Sequence, residues 1–418
     1  MKIYLQRTTV ALLIAVGAIA ASRPSAAALS PSQSTTSSAA ASSSSGGALV
    51  PFKIHVEDAV LADLKDRLTR ARFPDELTGA GWNYGMNLGY LKELVMYWHD
   101  RFDWRAQERR LNAFDQFKTN IDGLDIHFIH QRSHNPNALP LLLLNGWPSS
   151  IDEYSKVIGP LTDPVSYGGR AEDAFHVVIP SMPGFGFSEK PRERGYGTER
   201  IVADWVRLMA RLGYTRYGTQ GTDIGSGVGT QLAIDDAAHM VALHLTGCTG
   251  GAPAPTTGAA PPSSASDTTG YSELQSTKPQ TIGYSLSDSP VGLASWIVEK
   301  YHGWSDHDGD IEKVYTKDQL LTVVTIYWVT NTGTSSARNY YERRHQPPLP
   351  ATRVSVPTGC ANFTRRYDRR PSGVGRSGAE TRYNVLRWTD MPRGGHFPAL
   401  EEPKLWVDDV RAFFHDRR

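Results

Sequence analysis

The feature that most constrains the fold is a succession of short apolar runs, each of which ends in a turn that contains Gly or Pro. The runs are PLLLLNGWPSS, FHVVIPSMPGFGFS and YTRYGTQGTDIG, and the segment TERIVADWVRLMARLG lies between the second and the third. In that segment Ile201, Trp205 and Leu208 recur at helical spacing. Alternation of strands and helices is typical of a mostly parallel sheet with helices on both faces, so we predict an α/β fold.

The alternation stops after MVALHLTG and resumes with RVSVPTG, YNVLRWTDM and EPKLWVDDVRAFFHDR. Residues 251–345, between these parts, contain Pro-rich loops and helical stretches such as SPVGLASWIVEKY. An interrupted sheet indicates an inserted domain. We therefore predict a core formed by residues 136–250 and 346–418, with residues 251–345 inserted as a cap.

Residues 51–135 form a separate N-terminal segment that we expect to be a helical lead-in to the core. Val60, Leu61, Leu64 and Leu68 fall on one helical face, and a second amphipathic segment, YLKELVMYWHDRF, follows. Alternating apolar residues on either side of IDG in QFKTNIDGLDIHFIHQRS then predict a hairpin.

The first 28 residues have the pattern of a secretory signal. Lys2 and Arg7 precede an apolar run over residues 10–20, and small residues follow. The run is shorter than the ~20 residues that span a bilayer. We expect residues 1–28 to be removed and residues 29–50, mostly Ser, Thr, Ala and Gly, to be a low-complexity linker. The mature protein is then expected to be secreted or periplasmic, with no stable membrane anchor.

Charge and glycine spacing limit the possible partners. The chain carries 44 Lys and Arg against 43 Asp and Glu, without a long block of like charge, so we expect it to bind neither nucleic acid nor an anionic membrane. The lone cluster GSGVG lacks the spacing of a dinucleotide-binding loop and the lysine of a P-loop. A small neutral substrate and no cofactor are expected.

Cys248 and Cys360 are the only cysteines. They provide no zinc-ligand spacing, so no metal is expected. We expect two buried thiols, with a single bridge between them as the alternative.

The stretch Gly221, Thr222, Asp223, Ile224, Gly225 matches the pattern of a nucleophile elbow, G-x-Nu-x-G, in which small residues allow a sharp strand-to-helix turn. The central residue is an aspartate, and a carboxylate with an ordinary pKa of about 3.9 is already ionised at neutral pH. It can attack a saturated carbon that bears a leaving group, such as an epoxide carbon or a carbon bonded to halogen. The product would be an ester of Asp223.

Hydrolysis of such an ester requires a base that activates water and donors that stabilise an oxyanion. His396 in MPRGGHFPALEEP follows the last predicted strand, which is the position of the base in the chain order nucleophile, acid, histidine. The backbone N–H groups of Trp147 and Ile224 are the candidate oxyanion donors, because each lies in a turn after a predicted strand.

These motifs together resemble the microsomal-type epoxide hydrolases of the α/β-hydrolase family, which carry a characteristic N-terminal segment. The resemblance extends from about residue 52 to 416 through LKDRLTRARFPDEL, NGWPSS, PSMPGFGFS, QGTDIGS, KPQTIGYSLSDSPVGLASWIVEK, YWVTNTGTSSARNYYE and MPRGGHFPALEEP. It implies an α/β-hydrolase fold and the conversion of an apolar epoxide and water to a vicinal diol, with Asp223 as nucleophile and His396 as base.

The resemblance also implies two cap tyrosines that hold the epoxide oxygen and protonate it as the ring opens. They match Tyr271 in GYSELQ and Tyr340 in SARNYYE, with Tyr341 as the neighbouring alternative. A phenol suits this role because it is a donor that is still protonated at neutral pH.

The chain departs from the family pattern at four places. Asn145 stands where the family often has His, and Ile224 stands where it has Trp, which removes an aromatic wall beside the nucleophile. Residues 252–268 are low-complexity where a helical cap segment is expected. The acid that orients the histidine is displaced from its usual position near Arg366, and the candidates are Asp368 and Glu380.

Two other functions remain open on the sequence. Loss of the orienting acid would leave a protein that binds its ligand, or is trapped as the ester, without turnover. A haloalkane dehalogenase shares the aspartate nucleophile, but it needs halide donors, often an indole beside the nucleophile, and Ile224 supplies none.

Overall fold

The structure is a computed structural model that describes residues 47–248, 269–347, 349, 352–363 and 375–418. The predicted signal, residues 1–28, and nearly all of the predicted linker, residues 29–50, lie outside the described residues. The low-complexity segment 252–268 and the candidate acid Asp368 lie outside them as well. Within the described part of the chain, no helix combines the length and the apolar character that crossing a bilayer requires.

The described residues contain one nine-stranded sheet. Its strands are β1 (Val50–Phe52), β2 (Gln116–Ile121), β3 (Leu124–Gln131), β4 (Leu139–Leu144), β5 (Phe175–Pro180), β6 (Tyr217–Gly221), β7 (Met240–Thr246), β8 (Val354–Asn362) and β9 (Tyr383–Asp390). The order across the sheet is β1-β2-β3-β5-β4-β6-β7-β8-β9. Strands β4 to β9 pair in parallel, whereas β1, β2 and β3 pair antiparallel and β3 joins β5 antiparallel.

The helices alternate with these strands and also form the N-terminal segment and the cap. They are α1 (Asp58–Thr69), α2 (Leu88–Asp100), α3 (Trp104–Leu111), α4 (Ile158–Thr162), α5 (Thr198–Arg211), α6 (Ile224–Asp235), α7 (Gly270–Thr277), α8 (Pro279–Asp288), α9 (Pro290–Trp304), α10 (Lys317–Thr330), α11 (Gly333–His345), α12 (Arg376–Glu380), α13 (Pro398–Glu401) and α14 (Pro403–Phe414). Helices α7 to α11 lie in the chain between β7 and β8, so the α/β-hydrolase fold with an inserted helical cap is confirmed.

Helices cover both faces of the sheet. Successive side chains of a strand point to opposite faces, so a single strand contributes to the apolar cluster on each face. In β4, Leu142 and Leu144 belong to the apolar cluster that includes helices α5 and α6. Leu141 and Leu143 belong to the cluster that includes α4 and α14. A strand that is apolar on both faces is typical of a parallel sheet between two helical layers.

Two expectations for the N-terminal segment have different outcomes. The hairpin is confirmed, since β2 and β3 pair in register with Ile121 opposite Leu124. The expected helix forms as α1 and buries Leu64 and Leu68, but Val60 on the same face is 37 % exposed. The apolar stripe of α1 is therefore narrower than the periodicity predicts.

The expectation of two separate thiols is wrong. Cys248 follows β7 and Cys360 lies in β8, and the two form a disulfide with their Cα atoms 5.6 Å apart. Because β7 and β8 are neighbours with Leu245 opposite Cys360, the residue just beyond β7 is brought within bonding distance of β8. Sequence spacing alone contains no information about this pairing.

Candidate active site

Asp223 lies at a sharp turn between the end of β6 and the start of α6. Its backbone has φ of 51° and ψ of −127°, a left-handed conformation that is strained for any residue other than glycine. The turn needs glycine on both sides of the aspartate. A Cβ on Gly221 would come 2.5 Å from the carbonyl oxygen of Gly225, and a Cβ on Gly225 would come 2.1 Å from the carbonyl oxygen of Leu144. This is the geometry expected of a nucleophile elbow.

The turn after β4 faces this elbow and supplies one of the two predicted backbone donors. The N–H of Trp147 donates to Oδ1 of Asp223 at 3.0 Å. Gly146 permits this approach, since a Cβ there would come 2.0 Å from the same oxygen. The N–H of Ile224, the second predicted donor, also hydrogen-bonds to the Asp223 carboxylate. Both donors thus point at the group where an ester oxyanion would form.

His396 lies in the loop 391–397 between β9 and α13, which we call the histidine loop. Its Nε2 is 3.2 Å from Oδ2 of Asp223, whereas Oδ1 accepts the hydrogen bond from the N–H of Trp147. The two carboxylate oxygens therefore have different partners. The side chains of Asp223 and His396 are 17 % and 32 % exposed, respectively. Both side chains are therefore partly exposed, although Nε2 of His396 is itself buried.

Electrostatic contacts favour an ion pair between these two groups. Burial raises the pKa of Asp223, but the adjacent imidazole of His396 and the N–H groups of Ile224 and Trp147 outweigh it and lower that pKa. Burial lowers the pKa of His396, but the Asp223 carboxylate, together with the charges of Glu153 and Glu401, raises it above its ordinary value. The resting site accordingly contains a carboxylate that is ready to act as a nucleophile.

The two predicted cap tyrosines meet above this pair. The Tyr271 ring stacks on Trp147 with centroids 5.2 Å apart, and Tyr340 meets Trp147 edge-on at 6.0 Å. Burial and the charge of Asp223 raise the pKa of Tyr271 to about 12 and raise that of Tyr340 further. Tyr341 stacks on His345 instead, with centroids 3.9 Å apart, so Tyr340 is the residue that faces the site.

An aromatic wall surrounds Asp223 although Ile224 occupies the position next to the nucleophile. The Trp304 ring lies 6.2 Å from that of Trp147 and 4.9 Å from that of His396. Together with Tyr271, whose ring is 5.1 Å from Trp304, these side chains form an apolar lining. The predicted loss of an aromatic wall at Ile224 is therefore offset by residues from other parts of the chain.

The candidates for the orienting acid have different outcomes. Glu380, in α12, is exposed and forms an ion pair with Arg376 of the same helix. It is therefore not a buried partner of His396. Asp368 lies outside the described residues.

Sequence reasoning missed two acidic residues near His396. Glu401, in α13, accepts the backbone N–H groups on both sides of the histidine: Gly395 donates to Oε2 at 2.8 Å and Phe397 donates to Oε1 at 2.8 Å. Glu153 lies in the 3-10 turn Ile151–Tyr154, close to the Trp147 donor along the chain, and it is 1 % exposed. No sequence motif separates either residue from other acidic residues of the chain.

The described residues contain no cluster of three or more His, Cys, Asp and Glu side chains that could hold a metal ion.

Comparisons with known proteins agree with this geometry. Residues 49–154 match the family described as epoxide hydrolase N terminus, and residues 140–270 match the α/β-hydrolase fold. Epoxide hydrolase 1 of Sus scrofa is 37% identical over 87% of this chain and 88% of its own length.

Two solved structures share the fold. The crystal structure of juvenile hormone epoxide hydrolase from the silkworm Bombyx mori superposes with a TM-score of 0.77 at 30% identity and covers 89% of this chain and 94% of that one. The structure of Aspergillus niger epoxide hydrolase gives the same TM-score of 0.77 at 30% identity and covers 89% of this chain and 97% of that one. The chain therefore belongs to the microsomal-type epoxide hydrolases of the α/β-hydrolase fold.

Proposed function

We propose that this epoxide hydrolase opens an apolar epoxide to a vicinal diol through a covalent ester on Asp223. The observation that carries the proposal is the distinct surroundings of the two Asp223 oxygens. Oδ1 accepts the N–H of Trp147 at 3.0 Å, and Oδ2 lies 3.2 Å from Nε2 of His396. This arrangement suits a carboxylate that is first a nucleophile and then the acyl group of an ester.

In the first step Oδ2 of Asp223 forms a bond to an epoxide carbon, and the bond from that carbon to the ring oxygen breaks. The alkoxide takes a proton from the hydroxyl of Tyr271 or Tyr340. The raised pKa values of these phenols keep both protonated at neutral pH, so a donor is present when the ring opens. The resulting phenolate regains its proton from solvent.

Ester formation removes the Asp223 charge that raises the pKa of His396, so an imidazolium of the free enzyme releases its proton to solvent. In the second step the neutral His396 removes a proton from water, and the hydroxide adds to Cγ of Asp223. Negative charge develops on Oδ1, which faces the N–H groups of Trp147 and Ile224. The bond between Cγ and Oδ2 then breaks, the diol leaves with Oδ2, and its alkoxide takes the proton from His396. Asp223 is left as a carboxylic acid that holds an oxygen from water. It releases its proton to solvent, which restores the carboxylate and balances the proton that the tyrosine took up.

The lining favours an apolar substrate, because Trp147, Tyr271 and Trp304 present aromatic rings around the nucleophile. We expect styrene oxide or stilbene oxide to give a kcat/KM at least about 10-fold above that of glycidol, whose polar hydroxymethyl group gains nothing from this lining. Equal values for the two classes would contradict this substrate preference.

Labelled solvent tests the covalent route. With enzyme in excess over styrene oxide in water enriched in oxygen-18, a first turnover through the ester places the label in Asp223 and leaves the diol unlabelled. Mass spectrometry of the peptide that contains Asp223 measures this. Label that enters the diol at once and never enters the peptide would contradict the route. An ester that forms without release of diol would instead identify a binding protein that is trapped at the first step.

We also propose that the protein is exported. This rests on the N-terminal basic and apolar pattern of residues 1–28 and on the disulfide between Cys248 and Cys360, a bond typical of oxidising compartments. Fractionation of cells that express the full chain, with N-terminal sequencing of the product, tests it. An uncleaved chain confined to the cytosol would contradict the proposal.

A further inference from the structure

The second step of the proposed reaction creates a positive charge on His396 at a point when Asp223 no longer carries a negative charge. When His396 takes a proton from water it becomes an imidazolium, and Asp223, its partner in the free enzyme, is by then an uncharged ester. A cation in a buried site is costly without a neighbouring anion. Another carboxylate near His396 is therefore needed at this step.

Glu153 is a buried carboxylate in the turn Ile151–Tyr154, which follows the Trp147 donor in the chain. It is 1 % exposed, and its Oε1 has no hydrogen-bond partner among the described residues. A buried carboxylate oxygen without a partner is uncommon in folded proteins, since burial without compensation costs free energy. This cost indicates a role that the static contacts do not account for.

The chain around Glu153 is fastened to the helix that follows the histidine. Lys156 Nζ donates to the carbonyl oxygen of Leu400 in α13 at 2.8 Å. On the other side, Arg110 of α3 forms an ion pair with Asp152 at 2.7 Å, and the Asp152 side chain is only 2 % exposed. The turn that carries Glu153 is thus held between the N-terminal segment and α13.

Tyr301 of the cap packs against the histidine loop. Its ring stacks on Phe397, the residue after His396, with centroids 4.2 Å apart and planes 6° from parallel. Burial raises the pKa of Tyr301, and the charge of Glu153 raises it further. The cap therefore packs directly on the loop that carries His396.

The electrostatic contacts of Glu153 converge on His396. Burial raises the pKa of Glu153 to about 7; Ser149 and His396 lower it, and the Asp223 and Glu401 carboxylates raise it. Conversely, the charge of Glu153 raises the pKa of His396. Formation of the ester removes the Asp223 charge, which favours ionisation of Glu153 at the step in which an anion is needed.

We propose that Glu153 supplies the buried negative charge that stabilises the His396 imidazolium during hydrolysis of the Asp223 ester. It is a positioning residue, because it acts through His396 and contacts no reacting atom. Glu153 transfers no proton in this step: the proton from water goes to His396 and then to the diol alkoxide. The inference rests on the proposed covalent route and deepens it.

The test separates ester formation from ester hydrolysis in Glu153→Gln. Rapid-quench mass spectrometry at pH 8, above the pKa of Glu153, follows the ester of Asp223 with styrene oxide. We expect ester formation within about twofold of the parent and hydrolysis slowed by at least about 10-fold, since loss of the acid of a serine triad also acts through its histidine. Glu153→Asp, which keeps the carboxylate, is expected to recover part of the loss.

The pH dependence provides a readout that a purely structural role would not change. In the ester, the carboxylates that face His396 are Glu153 and Glu401. Removing one of them lowers the pKa of the imidazole, and hydrolysis needs the neutral base. The acidic limb of the hydrolysis rate is therefore expected to move to lower pH in Glu153→Gln.

Exposed Glu380→Gln is the matched control, and Asp368→Asn tests the rival acid. Normal ester hydrolysis in Glu153→Gln would overturn the inference. It would also be overturned if Glu153→Gln and Glu153→Asp slowed ester formation and ester hydrolysis to the same extent. Slow hydrolysis in Asp368→Asn with a normal Glu153→Gln would assign the role to Asp368. A parent enzyme that makes diol without any ester overturns the covalent route as well, whereas a parent that forms the ester confines a failure to Glu153.

Discussion

The elbow, residues 221–225, and the histidine loop, residues 391–397, place the two reacting side chains in different ways. The elbow carries a local glycine pattern: Gly221 and Gly225 flank Asp223, whose φ is 51°, and a side chain at either glycine would clash. The histidine loop depends on distant partners. The N–H of His396 donates to the carbonyl oxygen of Trp304 at 2.9 Å, and the N–H of Gly394 donates to Asp306 at 3.1 Å. The turn of the nucleophile is thus marked by a local sequence pattern, whereas the base is placed by contacts from distant parts of the chain.

The largest effect is expected at His396, because its loss separates the two halves of the reaction. In His396→Gln, Asp223 still forms the ester, but no base activates water, so diol formation falls by roughly a thousandfold or more. Mass spectrometry then detects an ester that persists. Asp223→Ala is the control, in which no ester forms. An ester that disappears at the parent rate in His396→Gln would contradict the assignment of the base.

Gly225→Ala tests whether the elbow packs against β4 as tightly as its geometry indicates. The new methyl group would lie 2.1 Å from the carbonyl oxygen of Leu144, so the turn must move. We expect a loss of about 3 kcal/mol in the free energy of unfolding, measured by urea denaturation.

Gly227→Ala is the matched control for that substitution. It lies in the same helix, and its methyl group would meet only Arg343 at 3.6 Å. Alanine is the better helix former by about 1 kcal/mol, so stability is expected to stay equal or rise. Equal destabilisation by the two substitutions would show that the elbow is not specially constrained.

Glu401→Gln tests the long-range support of the histidine loop. The carboxylate accepts three backbone N–H groups, from Asp306, Gly395 and Phe397, and an amide turns one of its ends into a donor that faces them. We expect kcat to fall by about 10- to 100-fold through misplacement of His396. Glu402→Gln, which alters only the ion pair of Glu402 with Arg393, is the neighbouring control. A similar fall in both variants would contradict a specific role for Glu401.

The smallest expected effect is a change in the titration of His396. The Asp223 carboxylate raises the pKa of His396 above its ordinary value of 6.5 despite burial. Asp223→Asn removes that charge and leaves burial, so the pKa is expected to fall. NMR titration of the imidazole in both proteins measures this. Because catalysis needs the neutral imidazole, activity is lost as pH falls through the pKa. An unchanged pKa would show that the two side chains are not coupled.

The same contrast explains how much could be predicted from the sequence. Alternating apolar runs predict β4, β5 and β6, and helical spacing predicts α5, in which Ile201, Trp205 and Leu208 are all buried. The elbow aspartate was found because its glycine spacing is a local pattern, and His396 because chain order places the base after the last strand. These features depend on residues that lie near one another in the chain.

What the sequence could not predict depends on partners far apart in the chain. The disulfide between Cys248 and Cys360 joins residues separated by 112 positions. The aromatic lining combines Trp147 of the core with Trp304 of the cap, and it offsets the isoleucine at position 224. Glu153 and Glu401 become notable only when the fold brings their charges near His396. Such contacts have no periodicity that a single sequence reveals.

The position of the disulfide has a consequence for a nicked chain. One sulfur lies just before the cap and the other just after it, so every residue from 249 to 359 belongs to a covalently closed ring. A protease that cuts once anywhere in this ring leaves two fragments that remain a single molecule until a reductant separates them. Electrophoresis of the nicked protein would show one band without thiol. After a thiol has reduced the disulfide, it would show two bands.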